Sequence, residues 1–158
     1  MNKKIITAFL FFISLIFFNL SAQSFKENLR MKYNFNSNWL LQIGDIEGAE
    51  KSNFEDDEWK KITLPRAFNE DEAFRVSIWE HTDTIVWYRK HFKLPKIAKG
   101  QKIFLEFEGI RFGCEFWVNG KPIGLHENGV MAFGFDISDV VNYTGDNVVA
   151  ARIDNSWR

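Results

Sequence analysis

Residues 102–153 read KIFLEFEGIRFGCEFWVNGKPIGLHENGVMAFGFDISDVVNYTGDNVVAARI. Apolar residues alternate with other types in short runs, and glycine and asparagine punctuate them. That pattern predicts short β-strands joined by tight turns. Ile103, Leu105 and Phe107 fall on one face of a strand. Phe112, Cys114, Phe116 and Val118 do the same on the next. Asn119-Gly120 then predicts a hairpin turn, because such a turn needs positive φ.

The same reading extends outward. Thr84–Leu94, TIVWYRKHFKL, predicts a strong strand with Ile85, Trp87, Arg89 and His91 on one face. Val86, Tyr88, Lys90 and Phe92 share the other, and neither face is purely polar. Asn147–Ile153 predicts a last strand with Val149, Ala151 and Ile153 together. Phe133 and Phe135 share a face with Met131, and Asp136–Val140 predicts a one-turn helix capped by Asp136 or Ser138. Upstream, Phe35–Ile43 predicts a strand anchored by Trp39, and Lys61–Pro65 a short extended piece ended by proline. Residues 24–34 read as a lead-in strand or arm, and Gly44–Asn53 as a polar loop. Phe54-Glu-Asp-Asp-Glu-Trp59 reads as one helical turn with a solvated acidic face, its two aromatics gripping the edge of the core. The run lacks the spaced oxygen ligands and glycine of a calcium loop. About eight strands in all predict an all-β sandwich, which seventeen Phe and six Trp can fill.

The chain has 158 residues, and its N-terminus has the pattern of an exported protein. Lys3 and Lys4 precede the apolar run Ile5–Leu20, followed by Ser21-Ala22-Gln23-Ser24. This predicts a secretory signal peptide over residues 1–23, cleaved after Ala22 or Gln23. A mature domain over residues 24–158, periplasmic or extracellular and without stable membrane insertion, is the expectation. An uncleaved anchor is the competing reading of the same run. Cys114, the only cysteine, cannot form an internal disulfide and reads as a small buried apolar residue.

Composition excludes several function classes. Formal net charge is −1, and basic residues do not gather with aromatics, so no nucleic-acid surface is expected. His81, His91 and His126 form no HxH or HExxH unit, so neither a metal site nor a cofactor is expected. No serine lies in GxSxG, and no glycine-rich phosphate loop is present. Glycoside hydrolysis commonly uses two carboxyl groups about 5–9.5 Å apart. Spacing selects no such pair: Glu106 and Glu108 share a strand face that reads as solvated. The candidates for sugar contact are Trp79, Trp87, His126, Glu127, Asn128, Asp154, Asn155 and Trp157. Aromatic faces stack on sugar rings, and carboxylates and amides bond hydroxyls. Each has a plainer reading: Trp87 as core, Asn128 as a turn former, Asp154 and Asn155 as the polar end of a strand.

At these residues the chain resembles the N-terminal sugar-binding domain of glycoside hydrolase family 2, which includes β-galactosidases, β-glucuronidases and β-mannosidases. The matching pieces are Phe35-Asn-Ser-Asn-Trp39, Phe54-Glu-Asp-Asp-Glu-Trp59, Ile62-Thr-Leu-Pro65 and Trp87-Tyr-Arg-Lys-His-Phe92. They continue with Leu105-Glu-Phe-Glu-Gly-Ile110, Phe116-Trp-Val-Asn-Gly120, Gly124, Gly129, Phe133–Ile137, Gly145-Asp-Asn147 and Arg152-Ile-Asp-Asn155. The resemblance implies a jelly-roll β-sandwich of the galactose-binding-domain-like kind. It implies a β-linked sugar or glycan as ligand. It also implies, in the whole enzyme, an immunoglobulin-like domain and a (β/α)8 barrel as partners. The catalytic glutamates of the family lie in that barrel, so no catalytic residue is assigned to this chain, which looks like a fragment and is expected to be inactive alone. Asp154-Asn155 resembles the segment that such domains lend to the rim of the active pocket. Two loops depart from the family pattern, Leu64-Pro-Arg-Ala-Phe68 and Glu80–Val86. Both bear on which sugar is taken. The rival readings are an autonomous carbohydrate-binding module and a purely structural domain that packs on a neighbour.

Overall fold

A computed structural model describes residues 30–72, 83–127 and 129–156. Eight strands follow one another: β1 (Trp39–Ile43), β2 (Lys60–Ile62), β3 (Ile85–Lys93), β4 (Phe104–Phe107), β5 (Gly113–Val118), β6 (Lys121–His126), β7 (Phe133–Asp136) and β8 (Asp146–Asp154). Every strand pair is antiparallel. Six form one sheet in the order β2-β1-β3-β8-β5-β6, and β4 pairs with β7 in a second. The chain crosses to the small sheet after β3, returns at β5, crosses again after β6 and returns at β8. This is the β-sandwich the alternation predicts, in the jelly-roll form that the family resemblance implies. Among the described residues the only helical pieces are single 3-10 turns at Glu70–Glu72 and Lys96–Ala98.

Period-two alternation builds the main core. Trp39 and Leu41, Val86 and Tyr88, Cys114, Phe116 and Val118, and Val149 and Ala151 all point from the large sheet toward Leu105 of the small one. Phe116 is fully buried and lies 4.8 Å, 5.6 Å and 5.2 Å, centroid to centroid, from Phe107, Phe133 and Phe135. Gly124 is required here: a Cβ on it would meet Phe135 Cε1 at 2.3 Å. Asn119 and Gly120 take φ of 53° and 76°, as the hairpin turn demands. The Asn119 side chain donates to the Val140 carbonyl and to Asn147 Oδ1, and accepts from the Val148 N–H, each at 2.9 Å. It thereby ties the turn to β8.

The other face of the large sheet is buried as well. Leu40, Trp87 and Ala150 pack with Ala49 and Trp59, so residues 44–59 fold over the sheet as a strap. The acidic run within it departs from the solvated reading. Glu55, Asp57 and Glu58 are exposed, but Asp56 is only 5% exposed. Its carboxylate accepts from Arg89 Nε at 2.6 Å and lies 2.9 Å from His91 Nε2. Arg89, at 0% exposure, also donates to the carbonyls of Ala49 and Lys51 and lies beneath the Phe54 and Trp59 rings. An arginine buried in the middle of β3 needs a carboxylate, and the strap brings one. The run 54–59 forms a turn without helix, and so does 138–140, where Asp136 accepts from the Ser138 N–H at 3.0 Å. Met131 lies outside β7 and is exposed, so it does not join Phe133 and Phe135 in the core. Residues 30–34 are in no strand, and Phe112, at φ 69°, precedes β5.

Two measurements check this packing. Burial pushes the Asp56 carboxyl up, but hydrogen bonds from Arg89 and His91 outweigh it and hold the group below its ordinary value. A depressed carboxyl contributes stability above its unfolded pKa and loses it as pH falls through the folded value. Urea unfolding at neutral pH is expected to show Asp56→Ala destabilised by about 3 kcal/mol, since Arg89 is left buried without its counter-charge. The loss relative to the parent chain is expected to shrink below about pH 4; an equal loss at every pH would refute the ion-pair account. Burial also pushes the Cys114 thiol far above its ordinary pKa. A water-soluble thiol reagent is therefore expected to leave Cys114 unmodified in the native chain and to label it fully in denaturant.

Candidate functional site

β5 runs between β6 and β8, so its first residues place two of the predicted sugar contacts. Cys114 is opposite His126 on one side and Ile153 on the other. The ends of β6 and β8 therefore stand two strand spacings apart, roughly 10 Å, at one rim of the sandwich. The start of β3 completes that rim, because Ile85 pairs with Asp154. Across the sandwich, the end of β4 and the start of β7 meet at Phe107 and Phe133.

His126 is part-buried and its ring stacks on Phe133, with centroids 3.6 Å apart and planes at 12°. Its Nε2 is buried and has no hydrogen-bond partner. Glu127 follows it, exposed. On the β8 side, Asp154 Oδ1 accepts from the Ser156 N–H at 2.9 Å and from its hydroxyl. Asn155 is buried, and its N–H donates to the Thr84 carbonyl at 3.0 Å, which fixes the chain as it leaves the sheet. The structure thus brings Asp154, Asn155, His126 and Glu127 to one rim. Trp79, Asn128 and Trp157 lie outside the described residues. Trp87 is in the second core, 3% exposed, as its plainer reading holds.

The rim is also apolar at one point. Val130 and Met131, in the connection from β6 to β7, are 82% and 66% exposed. The close approach of Gly109 holds this connection in place: a Cβ there would stand 2.9 Å from the Val130 carbonyl oxygen. Sequence reasoning placed Met131 on the face of Phe133 and Phe135 and did not single out Val130. It also missed the charged groups on the outer face of the sheet. Arg152 donates from Nε and Nη2 to the two Asp45 oxygens at 2.9 Å each. That fork holds the Asp45 carboxyl below its ordinary pKa. Among the described residues no group of three His, Cys, Asp or Glu is arranged to hold a metal ion. No described helix is long and apolar enough to cross a membrane.

Comparison with known proteins places this geometry. The family description "Glycosyl hydrolase 2 galactose-binding domain-like" matches residues 48–158. The chain is 35% identical over 133 residues to a β-glucuronidase of Formosa agariphila, covering 80% of this chain and 14% of that protein. It is 33% identical over 125 residues to a β-galactosidase of Thermoanaerobacter pseudethanolicus, covering 77% and 16%. Among solved structures, a family 2 β-glucuronidase superposes with a TM-score of 0.71 at 35% identity, covering 78% of this chain and 14% of that one. The chain therefore spans about one-seventh of the length of these relatives. The fold, the strand order and these matches agree that the chain belongs to glycoside hydrolase family 2 and carries the family's N-terminal, galactose-binding-domain-like sandwich.

Proposed function

We propose that this sandwich forms one wall of the sugar pocket of an exported β-glycoside hydrolase. The observation that carries the reading is that the β6 and β8 ends lie at one rim, on either side of β5, with His126 and Glu127 at one and Asp154 and Asn155 at the other. A rim of this kind offers the Glu127 and Asp154 carboxylates to sugar hydroxyls and an aromatic stack to a ring face. The chemistry of bond cleavage belongs to a (β/α)8 barrel reached through an immunoglobulin-like domain, and the sandwich orients the substrate against it. The exposed Val130 and Met131 add an apolar edge to that rim. The lysine-led apolar run at the N-terminus supports export, to the periplasm or beyond.

Two assays test this. The purified 158-residue chain is expected to release no aryl group from aryl β-glycosides; turnover that a point change within this chain abolishes would overturn the reading. In a family 2 enzyme that carries this sandwich ahead of its catalytic barrel, Asp154→Asn is expected to raise KM about tenfold. That is the cost of one charge-assisted hydrogen bond to substrate. An unchanged KM would remove Asp154 from the pocket.

A further inference from the structure

The end of the sandwich opposite the rim carries a different chemistry. β3 runs over nine residues from Ile85 at the rim to Lys93, so the two ends stand roughly 27 Å apart. The connection from β3 to β4 lies at this far end. Residues 93–104 read KLPKIAKGQKIF, with four lysines and no acidic residue in a chain of net charge −1. Lys93, Lys96, Lys99 and Lys102 are all exposed. Ile97 and Phe104 stand among them, 63% and 56% exposed.

The connection is firmly held. Ala98 is buried at the end of the 3-10 turn Lys96–Ala98, and its N–H donates to the Pro95 carbonyl at 2.9 Å. The Ile103 N–H donates to the Ser138 hydroxyl at 2.9 Å, and the Tyr143 hydroxyl to the Gln101 carbonyl at 3.1 Å. With Ala98 turned inward, Lys96, Ile97 and Lys99 face solvent. Phe104 alternates with the buried Leu105, so its ring lies on the outer face of the small sheet. Two of the lysines have acidic neighbours: Lys93 Nζ lies 3.3 Å from Asp146, and Lys102 Nζ 2.7 Å from Asp136. Exposed pairs of this kind are weak and exchange readily for other anions. Asp139 acts on Lys102 as well. Lys96 and Lys99 have no ion-pair partner among the described residues.

We propose that this end of the sandwich docks reversibly on an anionic phospholipid surface, with Ile97 and Phe104 at the level of the headgroups and the four lysines on lipid phosphates. Charge and shape favour a lipid surface over a single anionic molecule. An ammonium is a point charge on a flexible stem, whereas selective recognition of one phosphate or carboxylate uses the planar fork of arginine, and residues 93–104 hold none. Exposed apolar side chains among the cations add nothing to the capture of a soluble polyanion, but they gain by entering a lipid interface. Docked in this way, the chain would present its rim on the side away from the membrane.

Co-sedimentation of the full chain with vesicles tests the surface, using phosphatidylcholine alone and equal parts of phosphatidylcholine and phosphatidylglycerol. The parent chain is expected to prefer the anionic vesicles and to lose that preference as salt rises to about 0.5 M. Partition of the apolar run Ile5–Leu20 into lipid is common to parent and variants, so the comparison between them reads the far end alone. Lys96→Gln combined with Lys99→Gln is expected to weaken binding to anionic vesicles about twenty-five-fold, about fivefold for each lysine. Ile97→Ser, also at an exposed position, is expected to weaken it about fivefold and to leave binding to heparin, a soluble polyanion, unchanged. Vesicle binding that neither change weakens would overturn the proposal. So would a loss in the lysine variant with none in Ile97→Ser, a result that points to a soluble acidic polymer. Neither outcome bears on the sugar pocket, since the assay uses no residue of the rim.

Discussion

A guanidinium with no exposed surface sits in the middle of β3, and the strap over the large sheet takes its shape from that fact. Arg89 cannot stay charged there without partners, because an uncompensated buried ion costs several kcal/mol. The partners all come from residues 49–59: the Asp56 carboxylate, the Ala49 and Lys51 carbonyls, and the Phe54 and Trp59 rings above the cation. A loop of polar composition thereby becomes a second core layer. It buries Ala49 and Trp59 against Leu40, Trp87 and Ala150. It also makes β3 a strand buried on both faces from Val86 to Lys90.

Lys90 shows the same constraint on the inner side of that strand. Its ammonium donates to the Ser37 carbonyl and lies 4.6 Å from the centroid of the Phe35 ring. Burial lowers its pKa. Two consecutive cations are thus absorbed on opposite faces, one by a carboxylate and one by a carbonyl and a ring. With β3 fixed, β1 and β8 align beside it, and β8 in turn aligns β5. The rim at the ends of β6 and β8 descends from this order, because Asp154 is placed by its pairing with both Ile85 and Gly113. The outer-face cluster descends from it too, since Arg152 stands between Trp87 and Glu115 and reaches the first residues of the strap. One strand therefore supports both the rim and the outer-face ion pairs, and the two differ in chemistry. The rim combines carboxylates and a stacked histidine, whereas the outer face sets a cation between carboxylates beside indole rings.

Much of the architecture could be read along the chain. Alternation located β3, β4 and β8 to within two residues, because a side chain's face in a strand depends only on parity, while β5 and β7 begin four residues later than the alternation starts. Asn119-Gly120 marked its hairpin, since the φ values such a turn needs are open to few residues. The ordered motifs pointed to the family, and Trp87 and Cys114 were legible as buried residues. Local composition misled at Asp56, where a carboxylate amid three exposed acids is buried by a partner thirty-three positions away. It misled at Met131 as well, where an apolar residue in step with Phe133 stands outside the strand and faces solvent.

Strand positions, the hairpin turn and family membership were thus determined by the sequence alone, because each depends on residues within a few positions of one another or on their order. The pairing of Asp56 with Arg89, the placing of His126 and Asp154 at one rim, and the seating of Arg152 between Asp45 and Glu115 were decided only in the tertiary structure. Each depends on which strands become neighbours, and that is settled by packing two faces of a sheet at once. No local pattern of residue types carries that information.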